Sequence, residues 1–173
     1  MKIIIFGRHA LTCAAISAAS VLLASCDDES EDVRKAPPVA ASDAAIVRTT
    51  WLDLSDETPP EVWLAARETG TPQAPDGAAA AGFRRLLQQA AGRVNETPRV
   101  IANRTVQLET MLAEQGIDES ARALLTGFLS AEPADAARRD YGALCQHYFN
   151  LRSTGVDRST ALAVLAVDRP TLP

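Results

Sequence analysis

From Asp76 onward, apolar positions recur at the three- and four-residue spacing of amphipathic helices. The first such stretch carries Ala79, Phe83, Leu86, Leu87, Ala90 and Val94 on one face. Four more follow, opening at Thr97, at Asp118, near Asp135 and at Asp157. This pattern predicts an all-α fold in which residues 77–168 form a compact bundle of about five helices.

One turn sequence occurs twice within this region. Gly116-Ile117-Asp118 returns 39 residues later as Gly155-Val156-Asp157, each time between a longer and a shorter apolar stretch. The glycine suits the left-handed position after a helix, and the aspartate suits the cap of the next helix. We therefore predict two successive αα-hairpins. A short superhelical stack is the alternative, although solenoids usually need three or more units.

Residues 43–76 lack a sustained period and are predicted to form a short irregular strap. Their apolar part suits a strand, a short helix or an extended segment, and a capping box at Thr58–Glu61 predicts a helix from Pro59 to Thr69, ended by Gly70. The two tryptophans of the chain, Trp51 and Trp63, lie here. Packing on the bundle is the simpler interpretation, and exposed contacts for a partner are the alternative.

The N-terminal 26 residues have the layout of an export signal. Lys2, Arg8 and His9 precede an apolar run that ends in Leu23-Ala24-Ser25-Cys26. This ending resembles the lipobox of bacterial lipoproteins, in which the cysteine is acylated and becomes the first mature residue. The resemblance covers residues 1–26 only. A plain secretory signal and an uncleaved anchor helix are the alternatives.

The resemblance implies a signal peptide over residues 1–25 and membrane attachment through lipid on Cys26, on the periplasmic side. Asp27 fits the pattern that keeps enteric lipoproteins in the inner membrane, with the outer membrane as the alternative. Residues 26–42 are charged and then rich in proline and alanine, which predicts a flexible, disordered tether. Residues 169–173 form a short tail.

The net charge and the number of cysteines narrow the class of protein further. Removing Lys2 and Arg8 from the 17 basic residues leaves 15 against 22 acidic ones, and an acidic chain without a basic cluster argues against nucleic-acid binding. After processing and lipidation, Cys145 is the one cysteine left, so the mature domain has no intrachain disulfide. We expect a buried thiol on the apolar stripe of its helix.

The sequence offers little chemistry, and we predict no catalytic residue, cofactor or metal site. Cys145 and His147 are two positions apart on a helix and so face opposite ways. Paired carboxylates for an envelope enzyme are conceivable among four glutamates of the core helices. Solvated helix faces are their simpler interpretation. These glutamates are Glu109, Glu114, Glu119 and Glu132.

We therefore expect a lipid-anchored periplasmic interaction module that binds another cell-envelope protein as an accessory, assembly or inhibitory subunit. Its candidate partner contacts are Trp51, Trp63, His147 and Phe149. Two alternatives remain: an envelope enzyme that acts on peptidoglycan or lipid through carboxylates, and a carrier of a small apolar ligand, which would need a cavity between the helices.

Overall fold

The computed structural model describes residues 43–132 and 137–167, and these two ranges contain seven α-helices and no strand. One isolated parallel β-bridge joins Val94 to Arg139. The all-α prediction is confirmed for these residues. The signal peptide, Cys26, the tether and the tail lie outside them. The helices are α1 (Asp43–Ile46), α2 (Pro60–Thr69), α3 (Ala78–Ala91), α4 (Pro98–Glu114), α5 (Ala121–Ala131), α6 (Tyr141–Ser153) and α7 (Arg158–Val167).

The core lies where the apolar stripes of these helices meet. The long helix α4 packs against α2, α3, α5 and α6, and α7 packs against α5 and α6. Phe128 of α5 makes edge-to-face contacts with Tyr141 and Tyr148, with ring centroids 5.8 and 5.2 Å apart. In α6 the buried face is formed by Tyr141, Leu144, Cys145 and Tyr148, so Cys145 lies on the apolar stripe of its helix as predicted. Five helices occupy residues 78–167, as the periodicity predicted.

Helix α2 ends where the sequence predicted but begins differently. Gly70 has a φ of +69°, the left-handed conformation expected after a helix. The preceding Pro59 takes the N-cap position and no side chain caps the helix, so the predicted capping box is wrong. In α4, by contrast, the Thr97 side chain accepts a hydrogen bond from the Val100 amide, as predicted.

Two other helix starts differ from the prediction. Helix α5 is capped by Ser120 and not by Asp118, since Ser120 Oγ accepts the Ala123 amide at 3.2 Å. Helix α6 is capped by Asp140, whose Oδ1 accepts the Ala143 amide at 2.7 Å. The start predicted at Asp135 lies outside the described residues. Arg139, which forms the β-bridge with Val94, lies before the first residue of α6.

The two glycine turns share a backbone geometry. Gly116 and Gly155 have φ angles of +74° and +89°. The amide of Ile117 donates to the Leu112 carbonyl at 2.9 Å, and that of Val156 donates to Leu151 at 3.1 Å. Each is the six-to-one backbone hydrogen bond that defines a Schellman turn. Asp157 caps α7 as predicted, since its Oδ1 accepts the Thr160 amide at 3.0 Å, whereas the cap of α5 is Ser120, two residues after the corresponding Asp118.

None of the helices between residues 43 and 167, the undescribed 133–136 aside, has the length and apolar character needed to cross a membrane.

Candidate partner-binding surface

The segment between α1 and α2, residues 47–59, is an irregular loop whose backbone is held by side chains of the bundle. We call it the α1–α2 loop. Asn103 of α4 makes two hydrogen bonds to Leu52: its Oδ1 accepts the Leu52 amide at 2.8 Å, and its Nδ2 donates to the Leu52 carbonyl at 2.9 Å. Both residues are buried. The amide thus pairs with the loop as a neighbouring strand would.

Arg99, one turn earlier on α4, holds the second half of the loop. Its guanidinium donates to the carbonyls of Asp53 at 3.0 Å, Asp56 at 2.8 Å and Thr58 at 3.1 Å. The planar donor group suits such a fan of acceptors. One side chain thus binds three carbonyls of the loop, of which Asp53 O also accepts the Asp56 amide at 3.1 Å.

The first half of the loop is fixed to α2 at one carbonyl. Thr49 O accepts hydrogen bonds from Trp63 Nε1 at 3.1 Å and from Arg67 Nη1 at 3.0 Å. Trp63 itself is completely buried, so it belongs to the core and offers no surface to a partner. The packing interpretation of this tryptophan is the one the structure supports. The loop is thus held at its start, middle and end.

On this fixed backbone one apolar side chain is buried and two are exposed to solvent. Leu52 is buried, whereas Trp51 is 47% exposed and Leu54 is 94% exposed. A single exposed leucine is ordinary on a protein surface. A tryptophan and a leucine three positions apart on a hydrogen-bonded loop are more informative, because rigid aromatic side chains are typical anchors of protein interfaces.

The other two candidate contacts lie elsewhere, on α6. His147 and Phe149 are both half-buried, and Phe149 packs against the core cluster. Helix α6 packs on α4 and α7. The structure thus gives Phe149 a packing role in the bundle and leaves Trp51 as the most exposed aromatic candidate.

The glutamates considered for catalysis are mostly engaged with the bundle. Glu119 is buried and accepts hydrogen bonds from Tyr148 Oη at 2.8 Å, Arg152 Nε at 2.8 Å and Arg158 Nε at 3.2 Å. This environment raises the pKa of Tyr148, chiefly through burial and the hydrogen bond to Glu119. Donors from three side chains occupy both carboxylate oxygens, so Glu119 joins elements of the bundle.

Two further glutamates are bound in similar ways. Glu109 forms an ion pair with Arg67 at 3.1 Å and accepts the Ala121 amide at 2.8 Å, which supplements the cap of α5. Glu132 is buried and paired with Arg139. The expectation of solvated helix faces is therefore wrong for Glu109, Glu119 and Glu132, and of the four candidates only Glu114 is exposed.

The thiol of Cys145 is buried, as predicted, and burial raises its pKa from the ordinary 9.0 to about 12. Such a thiol is inert at neutral pH. Among the residues that the structure describes, no three histidine, cysteine, aspartate or glutamate side chains form a group able to hold a metal ion.

The grooves between helices are small. One between α4 and α6 encloses about 80 Å³, and its lining is mixed, with the polar Arg104, Gln107 and Gln146 beside Leu108 and Met111. Another beside Phe83 and Arg122 encloses about 50 Å³. Pockets for small molecules usually measure about 300–1,000 Å³. The grooves therefore give no support to the carrier alternative.

Sequence reasoning found Trp51 but missed the two residues that fix it, Arg99 and Asn103. A signal was present, because Asn103 is a polar residue among the buried positions of α4, between Ile101 and Val106. A buried amide in a helix needs partners for both its donor and its acceptor. That requirement points to a backbone segment lying on α4, although not to which one.

Comparison with known proteins identifies the family. The family model described as MoxZ matches residues 61–170, a range that includes Arg99 and Asn103 and begins just after the α1–α2 loop. The chain is 30% identical over 145 residues to Protein MoxZ of Paracoccus denitrificans, an alignment that covers 83% of this chain and 85% of that protein. No solved structure matches. The chain belongs to the MoxZ family.

Proposed function

We propose that this protein is a lipid-anchored accessory module of the cell envelope that binds another envelope protein through the α1–α2 loop. The observation that carries the proposal is the exposure of Trp51 and Leu54 on a backbone fixed by Asn103, Arg99 and Trp63. A loop already held in one conformation loses little entropy on binding, which favours affinity.

The anchor is proposed from the resemblance of Leu23-Ala24-Ser25-Cys26 to a lipobox. A lipid on Cys26 would keep the domain on the periplasmic face of a membrane, and Asp27 favours the inner one. Several acyl chains together give stable attachment, whereas one chain gives only marginal binding. The lipid would thus concentrate the module near membrane-bound partners.

Fractionation of cells that express the full chain tests the anchor. The native protein is expected in the membrane fraction, and Cys26→Ser is expected to move it to the periplasmic fraction. The matched control is Cys145→Ser, which removes a buried thiol and leaves the lipobox intact. If the Cys26→Ser protein stays with the membranes, the lipid-anchor proposal is wrong.

The binding proposal is tested on the lipidated chain purified from its native membranes in mild detergent. A stoichiometric envelope protein is expected to co-purify with it, and the double variant Trp51→Ser, Leu54→Ser is expected to lose that protein. Val167→Ser is the control, because Val167 is 84% exposed but lies at the end of α7. Equal recovery from all three proteins would exclude the loop as the binding surface.

A further inference from the structure

Acidic residues lie next to the exposed apolar pair along the chain. Residues 51–57 contain Asp53, Asp56 and Glu57 and no lysine or arginine. Asp53 and Glu57 are exposed, while Asp56 is half-buried and its Oδ1 accepts the Thr58 amide at 2.8 Å. Two carboxylates therefore face solvent on the same seven-residue stretch as Trp51 and Leu54.

Two arginines of the neighbouring helices are directed at the loop backbone. Arg99 donates hydrogen bonds to three carbonyls of the loop, and Arg67 donates to Thr49 O and to Glu109. Within residues 47–59 itself, three acidic residues stand against one basic residue, Arg48. Arg48 is exposed but precedes Trp51, so the apolar pair has its negative border on residues 53–57.

This charge decides among the surfaces on which the loop can dock. A bilayer is disfavoured, because anionic headgroups attract basic segments and repel carboxylates. A second copy is disfavoured as well, because most arginines of the described domain donate to acceptors in their own chain. These are Arg67, Arg84, Arg93, Arg99, Arg122, Arg138, Arg139, Arg152 and Arg158.

We infer that the partner protein presents an apolar pocket that receives Trp51 and Leu54, with lysine or arginine side chains on its rim opposite Asp53 and Glu57. This inference rests on the proposed partner-binding function and adds the chemistry of the site. Buried aromatic anchors supply most of the binding energy of an interface. Rim charges set the association rate, its salt dependence and the choice of partner.

The experiment is photocrosslinking in cells with the full lipidated chain. Trp51 is replaced by the photoreactive residue p-benzoylphenylalanine, which keeps an aromatic group at that position, and the adduct is mapped by mass spectrometry. The same replacement at Gln146, exposed on α6, reports on binding through another surface. Charge is then reversed in the Trp51 probe by Asp53→Lys with Glu57→Lys. Glu114→Lys with Asp118→Lys is the matched control at exposed positions.

The inference predicts a protein adduct at position 51 whose mapped peptide has apolar residues flanked by lysine or arginine. Its yield should fall at least about tenfold on reversal of Asp53 and Glu57, because like charges then face each other. The control reversal should leave the yield unchanged, and rim changes to glutamate in the partner should restore it.

Other outcomes overturn the inference. A phospholipid adduct, an adduct with a second copy of the chain, or a protein adduct indifferent to Asp53 and Glu57 would each show that the basic-rimmed pocket is wrong. An adduct at Gln146 without one at position 51 would move binding to another surface. If no protein adduct forms at either position and no protein co-purifies with the chain, the proposed function fails along with the inference.

Discussion

Glu119 and Arg158 pair across the bundle from nearly equivalent places in the two related turns. Glu119 is the third residue after Gly116, and Arg158 is the third after Gly155. Arg158 Nε lies 3.2 Å from Glu119 Oε2, and its Nη2 donates to the Ala123 carbonyl at 2.8 Å. The turn before α5 is thereby joined to the turn before α7. Two copies of one local motif thus supply both halves of a tertiary contact.

We expect Glu119→Ala to lower the free energy of unfolding by about 3 kcal/mol, since it leaves Arg152 and Tyr148 without their buried acceptor. This loss of about 3 kcal/mol is at the lower end of what breaking a buried ion pair costs, because the Arg158 side chain is 43% exposed. Urea denaturation measures it. Glu114→Ala, at an exposed position of α4, should change stability by less than about 0.5 kcal/mol. Equal effects would mean that the pairing adds nothing.

The same pair shows how far sequence could predict the fold. Helices α3 to α7 followed from periodicity, because burial of an apolar stripe decides where a helix lies. The starts of α5 and α6 did not follow. In α5 both Asp118 and Ser120 suit a cap, and the choice of Ser120 accompanies the burial of Glu119 among Tyr148 and two arginines. Local preference cannot rank two good caps when a distant contact chooses between them.

The exposed surface of the α1–α2 loop was less predictable from the sequence than the helices were. Trp51 could be named from the sequence, but its exposure depends on which neighbour turns inward, and that is decided by Asn103, 51 residues away from Leu52. Trp63 has the same side chain and is fully buried. Nothing in the local sequence separates the two tryptophans, because long-range hydrogen bonds determine which one faces solvent.

The left-handed glycines give a second prediction. Gly116→Ala should reduce stability by about 1–2 kcal/mol, because a Cβ is unfavourable at a φ of +74°. No atom lies within 4 Å of the added methyl group, so the cost is a backbone effect and not a clash. Gly116→Asn should cost less, since asparagine tolerates this conformation. Thermal unfolding compares the two, and an asparagine variant no better than the alanine one would contradict this explanation.

The free energy of unfolding should decline at alkaline pH because the Cys145 thiol is buried. Its folded pKa of about 12 exceeds the ordinary 9.0, so the unfolded chain loses the thiol proton first. The unfolded state then binds fewer protons between pH 9 and 12, and the free energy of unfolding falls as pH rises through that range. Cys145→Ala should reduce this slope. Part of the slope should remain, because the pKa values of Tyr141 and Tyr148 are also raised in the folded protein. Denaturant midpoints at pH 8, 9.5 and 10.5 measure the difference.

The same burial makes a kinetic prediction for the thiol. In a Cys13→Ser, Cys26→Ser background, Cys145 is the one remaining cysteine. It should resist a disulfide reagent such as dithionitrobenzoate at pH 8 while the protein is folded, and react at once in urea. Reaction in the folded state at the rate of a free thiol would show that the Tyr141–Cys145 face of α6 is open to solvent.

The loop itself can be observed through its tryptophan. Acrylamide should quench the native fluorescence in two fractions, an accessible one from Trp51 and a protected one from Trp63. Asn103→Ala removes both hydrogen bonds to Leu52, so the loop should loosen and quenching of the accessible fraction should rise towards that of free indole. The protected fraction should persist, because Trp63 packs in the core. Asn150→Ala, an exposed asparagine on α6, should leave both fractions unchanged. If Asn103→Ala behaves like this control, Asn103 does not fix the α1–α2 loop.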